Sequence, residues 1–211
     1  MKPKNLCFLF LFFVSTITKA GFLLLPMDET SQQNHLKAYG ITYWCLDKNY
    51  KASWLLNYRG GSFLLPDAPE IRKECQIRGV SFEVVSDSEE AELLNLIASP
   101  SQNMESVLLE KAPKIAVYTP KGKQPWDDAV TLVLTYAEIP FTAVYDEEVL
   151  SDQLLLYDWL HLHHEDFTGQ YGKFYGTYKN TPWYIEQKKE AELLAKKLGF
   201  AKVSDEKGAV A

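Results

Sequence analysis

Short unbroken apolar runs alternate along this chain with stretches whose apolar residues recur every three or four positions. The runs predict strands: Phe22–Met27, Trp54–Tyr58, Phe63–Leu65, Val80–Val85, Lys114–Tyr118, Phe141–Tyr145 and Asp158–His163. The helical spacing predicts helices over His35–Leu46, Asp67–Ile77, Asp87–Ile97, Ala129–Ala137 and Trp183–Leu198. Punctuation agrees with these bounds. Asp28, Thr30 and Ser31 offer caps, Pro66-Asp67 opens one helix and Gly79 closes it, Pro125 suits a first helical position, and Gly199 stops the long helix. Arg59-Gly60-Gly61-Ser62 reads as a turn, and Ser99–Met104 as a polar loop. Strand, helix and strand joined by short links predict right-handed crossovers. The expected fold is one α/β domain over residues 21–211, doubly wound, with a mostly parallel sheet and helices on both faces.

The first twenty residues stand apart. Lys2 and Lys4 precede an apolar run, Leu6–Val14, and Thr18 and Ala20 are small residues at the positions a signal peptidase reads. The run is far shorter than the roughly 20 residues a membrane-spanning helix needs. Residues 1–20 are therefore read as a signal peptide, and the mature product as periplasmic or extracellular, beginning near Gly21. Cleavage removes three lysines and no acids, so the formal charge of −6 becomes more negative still. That balance argues against a general nucleic-acid surface or an anionic membrane as partner. No later segment is apolar enough to span a bilayer. Cys45 and Cys75 are the two cysteines that remain, and they are read either as one disulfide or as two buried thiols.

Candidate chemistry gathers in His161-Leu-His163-His164-Glu165-Asp166, which begins in a strand and ends at its carboxyl edge. Ligands of open α/β sheets bind at that edge. Alternation places His161 and His163 on one face, so His163, His164 and Glu165 are candidates for supporting catalytic roles and His161 and Asp166 for binding. The reading assigns no cofactor. Its alternative is a divalent ion at His161, His163 and His164. Phe167–Tyr178, with three glycines and several aromatics including Tyr171, suits a substrate wall or lid. Arg59 is a candidate carboxylate clamp, beside backbone N–H groups that Gly60 and Gly61 leave accessible. Lys121-Gly-Lys123 is not a Walker loop and reads as a solvated turn. Nucleophiles are missing from the pattern. There is no G-x-S-x-G, and both mature cysteines fall on helical stretches rather than strand-to-helix turns.

Pro26–Thr30, His35–Gly40, Trp54–Leu65, Pro125–Asp128 and Tyr157–Gly172 resemble an exported bacterial family commonly labelled asparagine synthetase B. The resemblance covers the mature chain. It implies similarity to class I glutamine amidotransferase-like domains and a flavodoxin-like fold. It also implies a continuation beyond the equivalent of Ala211, through a helix into a Gly-rich strand and a cysteine-bearing turn, so the chain is expected to be an N-terminal fragment. Asparagine synthesis itself needs an N-terminal cysteine and a Ser-Gly-Gly-x-Asp-Ser loop, and the sequence has neither. Two expectations follow: an amidotransferase-like hydrolase whose nucleophile lies outside this chain, or a non-catalytic module binding a small-molecule or envelope ligand.

Overall fold

A computed structural model describes residues 21–119, 129–162 and 176–211. The expected signal peptide and the helix start at Pro125 fall outside these residues.

The first half builds a five-stranded sheet from β1 (Gly21–Leu25), β2 (Ala52–Leu56), β3 (Ser62–Pro66), β4 (Glu83–Ser86) and β5 (Glu105–Leu109), in the order β4-β1-β3-β2-β5. Every hydrogen-bonded pair in it is antiparallel. The second half forms a separate three-stranded sheet from β6 (Ile115–Tyr118), β7 (Thr142–Val144) and β8 (Trp159–Leu162), in the order β7-β6-β8, and both of its pairs are parallel.

This corrects the expectation of a flavodoxin-like, doubly wound and mostly parallel sheet. The links were legible, but the neighbours were not. β1 and β2 run in the same direction and are joined through α1 (His35–Asp47), as a crossover requires. The tight turn after β2 then folds β3 back between them. β3 and β4 likewise run alike through α2 (Pro69–Arg78), with β1 between them. Each crossover therefore skips one position, and an antiparallel strand fills it.

Alternation along the strands feeds two cores. Leu23, Leu25, Phe63 and Leu65 face α1 and α2, where they meet Ala38, Ile41, Cys45, Ile71 and Cys75. Leu24, Leu55 and Leu64 face the other way and are covered by Leu93 and Ile97 of α3 (Asp87–Ile97). The start of α3 is a capping box: Ser86 Oγ accepts the Glu89 N–H, and the Glu89 carboxylate accepts the Ser86 N–H. Gly79 ends α2 in the left-handed conformation, with φ 68°, as a C-terminal glycine does.

The two halves meet where α1 packs on α4 (Ala129–Ala137). Lys37 Nζ lies 2.5 Å from a Glu138 carboxylate oxygen, the Tyr136 hydroxyl donates to Asn34 at 3.1 Å, and the Tyr43 hydroxyl donates to the Pro113 carbonyl at 2.9 Å. The described residues of the second half also form α5 (Asp146–Leu150), a short 3-10 turn (Gln153–Leu156), α6 (Pro182–Lys197) and α7 (Val203–Val210). No described helix is long and apolar enough to cross a membrane.

Candidate functional site

The hairpin between β2 and β3 carries Arg59, Gly60 and Gly61. Four residues of this turn have positive φ: Asn57, Arg59, Gly60 and Gly61. Gly60, at φ 82°, lies so close to the preceding loop that a Cβ would stand 2.4 Å from the Met27 carbonyl oxygen. Glycine is thus required there by both conformation and space. The Gly61 N–H donates to the Tyr58 carbonyl within the turn.

Arg59 is turned inward to its own chain. Its Nε donates to Asp28 at 2.9 Å, Nη1 and Nη2 grip both Glu83 oxygens at 2.9 Å, and Nη2 also donates to Ser31 Oγ at 2.9 Å. Its own carbonyl accepts the Met27 N–H. Hydrogen bonding to Glu83, joined by Asp28, raises the guanidinium pKa against the effect of burial. Asp28 is held well below the usual carboxylate range, first by hydrogen bonds from Ser31 and Thr30 and then by Arg59. The cluster pins the loop after β1 to the hairpin and to β4. It has the fork geometry of a carboxylate clamp, with the protein's own Glu83 as the carboxylate.

His161 lies in the other sheet, so the structure does not unite it with Arg59 in one site. It sits opposite Val117 in the β6–β8 register, half-buried, with its ring 6.4 Å from that of Trp159. His163, His164, Glu165, Asp166 and Tyr171 fall outside the described residues. They follow β8 in the chain. Among the described residues, no group of three or more His, Cys, Asp or Glu side chains is arranged to hold a metal ion.

A second constellation at the carboxyl ends of β6 and β7 was not anticipated. Asp146, two residues beyond β7, is 0% exposed. The Tyr118 hydroxyl, at the end of β6, donates to one of its oxygens, and Lys207 Nζ donates to the other at 2.8 Å. Lys207 also reaches the Tyr145 hydroxyl at 3.2 Å and lies 4.7 Å from the centre of that ring. Burial works against the ammonium charge, but the bonds to Asp146 and Tyr145 outweigh it and raise the lysine pKa. Glu206 is 1% exposed, and its Oε1 has no hydrogen-bond partner. Burial, reinforced by a hydrogen bond with Asp146, pushes this carboxyl up to about 7 against the pull of Lys207. The sequence signal for Asp146 was an acid just past the end of a parallel strand. Glu206 carries no sequence signal of burial, because an acid in a first helical turn is ordinarily a dipole partner facing water.

Cys45 and Cys75 are both free thiols and both buried, on α1 and α2. Burial pushes them up to about 12 and about 11. Neither has the electropositive, accessible setting of a reactive cysteine. An open groove of about 580 Å³ between α3 and β5, lined by residues including Leu94, Ile97, Pro100 and Met104, gathers no convergent charged groups apart from Glu105. No protein-family model, curated protein or solved structure matches this chain.

Proposed function

We propose that this chain is the ligand-binding unit of an exported, amidotransferase-like protein, taking a small-molecule or envelope ligand at the carboxyl edge of the β7-β6-β8 sheet. One observation supports binding, rather than nucleophilic attack, as the role of this chain's described residues. Both described thiols are buried, with pKa values raised far above neutrality, so neither can act as the nucleophile an amidotransferase-like hydrolase needs. The location rests on topology. Parallel strands deliver their carboxyl ends to one edge, where open α/β sheets take ligands, and His161 and the segment 163–175 adjoin that edge in the chain. Trp159, 42% exposed at the start of β8, supplies an optical reporter in the same strand.

The test is a panel of amino acids, sugars and short peptides, scored by Trp159 fluorescence and by product analysis. The expected result is saturable quenching by one chemical class without turnover, with affinity weakened about tenfold in His161→Ala, the loss of one good hydrogen bond. Turnover of an amide, with covalent labelling of a single residue by an electrophilic probe, would replace this reading with the hydrolase. Absence of any saturable ligand would remove the binding site.

A further inference from the structure

We propose that α7 is a proton-controlled latch: Glu206 docks beside Asp146 in its neutral form, and loss of that proton loosens α7 from the ends of β6 and β7. The inference does not depend on what the protein binds.

Charge and hydrogen-bond supply in a closed space govern this part of the fold. Two carboxyl groups, Asp146 and Glu206, are buried together. Among the described residues, Lys207 is the cation bonded to the pair, and its ammonium is directed to Asp146 and the Tyr145 hydroxyl. Tyr118 donates to Asp146 as well. Both oxygens of Asp146 thereby receive a donor, while Glu206 Oε1 receives none. A second negative charge there would stand unpaired in low dielectric, which is strongly disfavoured, whereas a neutral carboxyl is tolerated.

Among the described residues, the other charges near the latch are engaged elsewhere or exposed. On α5, Glu147 pairs with Lys197 of α6 at 3.2 Å, and Glu148 accepts the Tyr145 N–H at 2.9 Å. On α7 itself, Asp205 is exposed, as is Lys202 just before it. Besides this pair, α7 is held by Val210, which packs against the cluster of Ala116, Tyr118 and Val144, and by its contacts with α5 and α6. A helix of eight residues has little stability of its own, so its docking decides whether it forms.

The raised Glu206 value, about 7 against an ordinary 4.5, sets the window. A carboxyl raised in the closed state favours closure fully below the open-state value, and that contribution fades as pH climbs through the closed-state value. Opening of α7 should therefore grow between about pH 4.5 and pH 7, by up to about tenfold per pH unit.

The test is hydrogen exchange of the full chain, read by mass spectrometry and corrected for intrinsic rates, at pH 5 and pH 7. The expected result is an opening constant for residues 203–210 about fortyfold larger at pH 7 than at pH 5, with Leu23–Leu25 in β1 unchanged. Glu206→Gln should abolish the dependence. Equal opening at both pH values in the natural chain would overturn the latch, as would an undiminished dependence in Glu206→Gln. Should that variant fail to fold, a carboxyl-carbon NMR titration of the natural chain decides. A Glu206 midpoint near 7 supports the latch, and one near 4.5 ends it.

Discussion

Gly40 of α1 lies against the backbone of Ala137 at the end of α4, so close that a Cβ on Gly40 would stand 1.8 Å from the Ala137 carbonyl oxygen. This contact sets the spacing of the helices that join the two sheets. Gly40→Ala should gain about 1 kcal/mol of helix propensity and lose more than that to overpacking, which costs about 1–3 kcal/mol. The expected net is destabilisation by up to about 2 kcal/mol in urea unfolding. Gly208 in α7 is the control. A Cβ there meets nothing within 4 Å, and Gly208→Ala should increase the protection of α7 from exchange.

The hairpin and the end of α2 offer a second contrast. Gly79, at φ 68°, would bring a Cβ no closer than 3.5 Å to Asn34, so Gly79→Ala carries only the left-handed backbone penalty, about 1–2 kcal/mol. Gly60→Ala carries the same penalty plus a collision with the Met27 backbone. Chemical denaturation should show the Gly60 variant to be the less stable, by about 1 kcal/mol or more.

Asp28 makes the Arg59 cluster sensitive to acid. Its folded-state pKa is depressed below 3.8, so its contribution is complete above that value and is lost as pH falls through the depressed one. The acid limb of a stability–pH profile should be shallower in Asp28→Asn than in the natural chain. Asp28→Asn should also loosen the loop after β1, seen as faster exchange at the Met27 N–H, which donates to Arg59.

The two thiols should ignore reagents while the chain is folded. With Cys45 at about 12, against a usual 9.0, its thiolate fraction at pH 8 falls about a thousandfold. A disulfide-exchange reagent should leave Cys45 and Cys75 unmodified in native buffer and titrate both in denaturant. Rapid modification of either in the native protein would contradict the burial of α1 and α2 against the sheet.

Much of the local structure was legible in the residues. The runs at Phe22, Phe63 and Lys114 are strands because apolar side chains on both faces suit a sheet covered on both sides. The helix over Asp87–Ile97 appears as read, since Ser86 and Glu89 write its start into the sequence. β5, Glu105–Leu109, passed unrecognised because it is mostly exposed and its pattern is weak. The Arg59 turn was legible as a turn. Its partners Asp28 and Glu83 were not, because they lie 31 and 24 residues away in sequence and only folding brings them together.

What the sequence determined by itself was therefore local: which segments extend, which coil, where caps and turns fall, and that strands joined through helices run in the same direction. Those properties depend on neighbours a few positions apart. Tertiary structure alone decided which strands lie side by side, because pairing depends on which edge a returning hairpin reaches, and β3 reached the place between β1 and β2. It alone decided that Arg59 grips Glu83 and that Glu206 turns inward to meet Asp146. Burial and charge pairing are properties of space around a side chain, and that space exists only once distant parts of the chain have closed on it.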